Sequence, residues 1–184
     1  MGNRRFSRKR LFESEKLGKA VDLGAGAGIK DAIVSATQHR NGAEIITEIA
    51  VDLGTSKADI EAPGTDRYAI GVDAAPAFLT QLTEAKFGVI TEVRAVLMEA
   101  PAGGCTDIGI EHAASSANGG ADPSGTAIIA QLTTVGEDKS NTYDANDLSD
   151  EYLFICAGET GSDADMTAGK VLIYIHGFEA PSDI

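Results

Sequence analysis

Three histidines, two cysteines and a large excess of carboxylates are the groups in this 184-residue chain that could carry chemistry. His39 stands beside an Asn41-Gly42 pair, His112 precedes a run of small residues, and His176 lies in a strongly apolar stretch. No pair of them has the spacing of metal ligands along the chain, and with Cys105 and Cys156 scattered among them they make a poor zinc site. A cysteine with no histidine base set beside it reads as a small core residue, not a nucleophile. Asp138, Ser140, Thr142, Asp144 and Asn146 place oxygen ligands at alternate positions, as calcium loops do. The glycine at the sixth place is missing, and Ser149 stands where a bidentate Glu belongs, so the stretch reads as a solvated acidic loop. Residues 159–165 form a second acidic loop without the pattern. Ser115, Ser116 and Ser124 sit in no G-x-S-x-G elbow. The expectation is a protein that is not an enzyme, with no metal site and no cofactor.

One glycine-rich segment argues the other way. Val21-Asp22-Leu23-Gly24-Ala25-Gly26-Ala27-Gly28 resembles the first motif of the class I S-adenosylmethionine-dependent methyltransferases, in which an acidic residue precedes a G-x-G-x-G loop. The resemblance implies glycines that let the backbone approach the cofactor beside a helix N-terminus. Such a loop follows a buried apolar strand and opens a helix. Here only Ala20 and Val21 precede it, behind the charged residues 16–19, and Ile29-Lys30-Asp31-Ala32-Ile33-Val34 is too short for the helix. The segment reads instead as a connector. Val51-Asp52-Leu53-Gly54-Thr55 is similar in the same fragmentary way to the phosphate loop of the actin-like ATPases, without that family's partner loops.

Charge is more informative than any motif. The net charge is -13, but residues 1–19 carry seven Lys/Arg against two Glu and are +5, which leaves -18 on residues 20–184. A basic arm (residues 1–19) is joined through a Gly-rich connector (20–30) to an acidic body (31–184). No apolar run reaches the roughly 18 residues of a membrane-spanning helix. No apolar stretch follows the basic N-terminus, so it does not read as a secretory signal. The acidic body repels nucleic acid, which argues against a dedicated nucleic-acid binder. In the arm, Arg4, Arg5, Arg8, Lys9 and Arg10 are interspersed with Phe6, Leu11 and Phe12, apolar anchors that a purely solubilising tail does not need. Residues 11–17 could form about two helical turns ended by Gly18, too short to be stable alone in water, so the arm is expected to order against a partner. Extended, it reaches roughly 60 Å at about 3.3 Å per residue.

The body reads as strands. Residues 32–38 and 44–53 flank Asn41-Gly42, a strong hairpin signal because both turn residues accept positive φ. Ile45, Thr47, Ile49, Val51 and Leu53 share one face of the second strand, with period 2. Further strands are expected at 68–72, 87–100, 106–112, 127–132, 151–157 and 170–178, a turn at Pro101-Ala102-Gly103-Gly104, and polar loops at 113–126 and 136–150. In residues 87–100 the inward set is read as Val89, Thr91, Val93, Ala95 and Leu97. Residues 76–82 suggest a short helix. The last two strands are apolar on both faces, so at least one should be central or lie at an interface. About eight strands with little helix predict an all-β fold, an antiparallel β-sandwich or jelly-roll-like body.

The two ends of the chain together are similar to small virion structural proteins of tailed bacteriophages, marine phages especially. The similar segments are Met1-Gly2-Asn3-Arg4-Arg5-Phe6-Ser7-Arg8-Lys9-Arg10-Leu11-Phe12-Glu13, residues 151–158 and residues 168–178, about 35 residues in all. That group includes capsid decoration, or cement, proteins. The resemblance implies a structural protein on the capsid surface of a virion that binds the major capsid protein and stabilises the shell. Arg4, Arg5, Phe6, Arg8, Lys9, Arg10, Leu11 and Phe12 would then be the capsid-binding residues. A homo-oligomer, trimer or dimer, is expected from the doubly apolar strands. The alternatives are a tail, collar or fibre-associated carbohydrate-binding sandwich and, less favoured, a methyltransferase using Gly24, Gly26 and Gly28.

Overall fold

Alternating side chains build the strands of this molecule, and among the described residues every strand pair is antiparallel. The computed structural model describes residues 19–24, 34–53, 77–103, 106–115, 126–144, 147–157 and 166–179. Their strands are β1 (Lys19–Ala20), β2 (Val34–Asn41), β3 (Glu44–Asp52), β4 (Ala77–Gln81), β5 (Val89–Gly103), β6 (Ile108–Ala113), β7 (Thr126–Leu132), β8 (Asp138–Thr142), β9 (Tyr152–Ala157) and β10 (Met166–Phe178), with one helical turn, α1 (Glu84–Phe87), between β4 and β5. A six-stranded sheet of order β1-β2-β3-β10-β5-β8 packs on a four-stranded sheet of order β4-β9-β6-β7. This is the expected all-β sandwich. The predicted strand at 68–72 lies outside the described residues.

The core lies between the inner faces. Ile45, Ile49 and Val51 of β3, Val171, Ile173 and Ile175 of β10, and Val93, Ala95 and Leu97 of β5 meet Leu79, Ile108, Ile110, Ile129, Leu132, Leu153 and Ile155 of the smaller sheet, all buried. Each Val, Leu or Ile among them contributes roughly 1.5–3 kcal/mol by leaving water. Thr47 is fully buried among them, and its hydroxyl accepts from Gln38 Nε2 at 3.0 Å. The same Gln38 nitrogen donates to Lys86 O at 2.8 Å and so ties α1 to β2. Both doubly apolar strands are central in their sheets, β9 between β4 and β6 and β10 between β3 and β5.

Several local expectations are corrected. The first hairpin turns one residue later than predicted: Asn41 pairs with Glu44, Gly42 alone takes positive φ (65°), and the loop is Gly42-Ala43. A positive φ at the first loop residue only is the pattern of a type II′ turn. Residues 76–82 do not form the short helix; Ala77–Gln81 is a strand on β9, and the helical turn follows at Glu84–Phe87. Pairing with an apolar central strand outweighs a weak local propensity. In β5 the inward set is Ile90, then Val93, Ala95 and Leu97, because Ile90 pairs with Gly177 and Glu92 with the adjacent His176. Thr91 is the extra residue of a β-bulge, which reverses the alternation. Its carbonyl accepts from Tyr143 N at 2.9 Å, and its hydroxyl donates to His176 O at 3.4 Å. β5 also continues through Pro101 to Gly103 where a turn was expected. Register shifts between Met166 and Lys170 place that proline in an irregular part of the ladder, where its missing N–H is tolerated.

The stretch read as a loop at 136–150 contains β8, an edge strand of the large sheet. The crossing from β7 to β8 is clamped by Glu137. Its Oε2 accepts from Thr133 N at 2.6 Å and Thr134 N at 3.1 Å, and its Oε1 lies 2.8 Å from Lys139 Nζ. These bonds, led by that to Lys139, hold the Glu137 carboxyl well below its ordinary value of 4.5, at about 2.

At one end of the sandwich two glycines allow backbone to touch backbone. A Cβ on Gly177 would overlap Phe87 O, and a Cβ on Gly88, whose φ is 71°, would overlap Phe178 O. Gly177→Ala is therefore expected to destabilise the protein by about 3 kcal/mol through overpacking, read as a lower urea midpoint; an unchanged midpoint would refute this packing account. Glu137 gives a second test. A carboxyl with a depressed folded value stabilises the protein fully above its unfolded value, and that contribution is lost as pH falls from about 4.5 through about 2. NMR titration should place Glu137 near the lower figure, and Glu137→Gln should flatten that part of the stability curve. Titration in the ordinary carboxylate range would contradict the clamp.

Candidate interaction surface

The arm joins the body at an edge of the large sheet. Lys19 and Ala20 pair with Gln38 and Thr37, and Val21 N donates to Ala36 O at 3.0 Å. Read from Ala20 to Lys19, β1 points toward the end of β2 that carries His39, Arg40 and the Gly42-Ala43 turn. Arg4, Arg5, Phe6, Arg8, Lys9, Arg10, Leu11 and Phe12 themselves lie outside the described residues, as does the rest of the arm before Lys19.

The beginning of the expected connector is built into the body. Leu23 is buried at the open side between the two sheets. Its carbonyl accepts from the buried Thr80 hydroxyl of β4 at 2.8 Å and from Lys86 Nζ at 3.3 Å. Asp22, the acidic residue of the supposed cofactor loop, accepts from Gly24 N at 2.9 Å, and Gly24 takes φ 65°. The carboxylate thus organises its own turn, as Asx turns do. The strand before this loop is a two-residue antiparallel edge strand, not the central parallel strand a nucleotide-binding loop follows.

The outward face of the large sheet carries cross-strand rows that join residues far apart in sequence. One runs Thr37, Glu48, Tyr174, Arg94, Ser140, the next His39, Ile46, His176, Glu92, Thr142. At the turn end, Asn41, Glu44, Phe178 and Val89 form a third, and Phe178 is 46% exposed. At the far end Lys170 lies 2.8 Å from Glu99 and 3.9 Å from Asp52. Arg94 makes two bonds to Asp138, at 2.7 and 2.5 Å, and its guanidinium stands 5.5 Å from the Tyr174 ring centre. The Asp138 bond favours the charged form of both partners, raising Arg94 and lowering Asp138. Burial raises the Tyr174 hydroxyl, and the neighbouring Glu48 carboxylate adds to that.

These pairs use both Lys/Arg side chains of the face. Among the described residues Glu44, Glu48 and Glu92 have no Lys or Arg ion pair, although Glu44 lies 3.9 Å from His176 Nδ1. The face therefore keeps an excess of negative charge around half-buried apolar groups, toward the end of the sheet to which β1 points.

The remaining candidates are dispersed. His39 and His176 share a row but flank Ile46 on separate strands. His112 lies in the other sheet, its Nδ1 donating to Glu151 Oε2 at 3.2 Å with Tyr143 edge-on to its ring. Cys156 is buried in the core, and Cys105 lies outside the described residues. Asp138 is committed to Arg94 and Asp144 N donates to Asp147 Oδ2 at 3.0 Å, so Asp138, Ser140 and Thr142 of the supposed calcium loop lie in strand β8, while Asn146 lies outside the described residues. Among the described residues no three His, Cys, Asp or Glu side chains are grouped to hold a metal ion, and no helix is long and apolar enough to cross a membrane. The part played by Thr80, Lys86 and Leu23 in closing the sandwich has no sequence signal, because the partners are brought together from positions more than fifty residues apart.

No family model, curated protein or solved structure matches this chain.

The closure predicts a measurable dependence on one hydroxyl. Thr80→Val keeps the shape but removes the donor to a buried carbonyl and should cost about 1–2 kcal/mol in urea unfolding. Unchanged stability would show that the Leu23 segment does not depend on Thr80.

Proposed function

We propose that this protein is a structural component of a tailed-phage virion that binds the outside of the assembled capsid and stabilises it, docking through its N-terminal arm. The observation that carries the reading is the division of charge, +5 on residues 1–19 against -18 on the rest. A β-sandwich closed by its own connector is a compact module suited to a particle surface. The arm begins at a sheet edge, so it can run outward without disturbing the core. Its basic residues meet acidic groups on the major capsid protein, while Phe6, Leu11 and Phe12 fill apolar pockets between them. Ordering an arm costs conformational entropy, so the bound form must gain contacts along its whole length.

The similarity of the chain's ends to phage structural proteins has two parts with different weight. Residues 151–158 and 168–178 overlap β9 and β10, central strands whose apolar character the core already demands. The docking role therefore rests on the basic arm. The same placement accounts for the doubly apolar strands without an interface. A dimer or trimer enters the proposal through avidity, since linked arms engage neighbouring capsid subunits together. The carbohydrate-binding alternative needs an aromatic platform, and among the described residues Phe178 is the one exposed aromatic side chain.

Deleting residues 1–12 leaves Lys19–Leu23 in place, so the truncated protein should melt like the full chain yet fail to co-sediment with purified capsids. Co-sedimentation of a folded truncation at the level of the intact protein would overturn the role of the arm.

A further inference from the structure

We propose that the outward face of the large sheet is a docking surface of the body itself, and that its partner is a protein segment carrying Lys or Arg on both sides of an apolar side chain. The proposal concerns the sandwich alone, so it goes beyond the arm-docking reading and does not rest on it. Three observations carry it. The first is charge. Six carboxylates, Glu44, Glu48, Asp52, Glu92, Glu99 and Asp138, stand in the cross-strand rows of this face against Arg94 and Lys170, a net of -4. Arg94 bonds Asp138, and Lys170 lies beside Glu99 and Asp52, so the excess falls on Glu44, Glu48 and Glu92. Those three have no Lys or Arg ion pair among the described residues; Tyr174 O–H donates to Glu48, and Glu44 lies 3.9 Å from His176 Nδ1. The second is what stands among them. Glu44 is opposite Phe178, Glu48 opposite Tyr174 and Glu92 opposite His176. A solvated sheet face turns polar residues outward, but here Phe178 is 46% exposed beside half-buried Ile46 and Tyr174. The third is extent. Nine paired residues on β3 and β10 and five neighbouring strands give a face of roughly 30 by 20 Å, close to the ~600 Å² that each partner contributes to a small specific interface.

Charge selects the occupant. A second copy would set the same glutamates against one another, and nucleic acid or an anionic lipid surface is repelled by the same field. A basic protein segment is attracted by it. The spacing sets the pattern of that segment. Glu44 and Glu48 are four residues apart on β3, roughly 13 Å, and Glu92 lies two strands away in the row of Ile46, roughly 10 Å across. Two basic groups about 12 Å apart therefore reach two of these carboxylates, while an apolar side chain between them covers Phe178 and Ile46. The apolar contact supplies affinity, and the flanking charges fix orientation and suppress acidic competitors.

The probe is a random-peptide display library selected on immobilised full-length protein, with the enriched peptides then synthesised and titrated by NMR. Enriched sequences should share Lys or Arg on both sides of an aromatic or aliphatic residue, and binding should shift the signals of Ile46, Tyr174, His176 and Phe178. Affinity should fall at least about tenfold in Phe178→Ser and in Glu44→Gln/Glu92→Gln. It should be unchanged in Glu84→Gln/Asp150→Asn, which removes two carboxylates outside the rows of the face. Should Phe178→Ser lose its cooperative melt, the glutamate variant decides. No enrichment, or enrichment of acidic or uncharged peptides, overturns the proposal. So do signal shifts confined to other residues, and so does an equal loss in Glu84→Gln/Asp150→Asn, which would mark attraction to the acidic body at large.

Discussion

The structure depends on β10 being paired along both edges. This 13-residue strand bonds to β3 on one side and β5 on the other, and its inward Val171, Ile173 and Ile175 form the middle of the core. Its register is fixed by that alternation, because a slip of one residue would turn Leu172, Tyr174 and His176 inward. Everything at the turn end follows from the register. Gly177 falls where Phe87 passes, and only a residue without a side chain lets α1 approach. The approach places Lys86 where its carbonyl accepts from Gln38 and its ammonium reaches Leu23. One long-range pairing therefore determines how the body is closed. Lys170 and Asp52, paired across the ladder, are more than one hundred positions apart, so the central pairing of the large sheet is nonlocal.

The sequence makes some of this legible and hides the rest for physical reasons. Ile45, Thr47, Ile49 and Val51 alternate with a set that carries Glu44, Glu48 and Asp52, and a strand with one buried face leaves that trace. The apolar residues on both sides of β10 correctly imply a central strand. Thr91 leaves no trace, because a bulge depends on which residue of a distant strand stands opposite, and Gly177 is read only once β10 is in register. The misplaced helix at 76–82 and the missed β8 have the same origin. Short segments with weak preferences adopt what their neighbours offer, and the neighbours are β9 and β5. The supposed calcium spacing of Asp138, Ser140 and Thr142 was strand alternation, with Asp138 directed to Arg94.

The division between arm and body is also sharper than the charge count suggests. Lys19 is the last basic residue of the arm in sequence, yet it already pairs with Gln38 within the large sheet. Asp22 and Leu23, in a segment that resembles a cofactor loop, serve the closure between the sheets. The outward face beside that closure is neither a plain solvated surface nor an apolar patch. Among the described residues it holds glutamates without a Lys or Arg ion pair beside half-buried Ile46, Tyr174 and Leu172.

The central claim is that the arm attaches an acidic body to the outside of a capsid. Cryo-electron microscopy of purified particles carrying this protein tests it most directly. The account predicts sandwich-shaped density on the outer capsid surface, with the basic arm running from the β2 edge across neighbouring capsid subunits. Density for the sandwich on the tail or inside the shell, or contact with the capsid made by the sheet faces while the arm touches nothing, would contradict it.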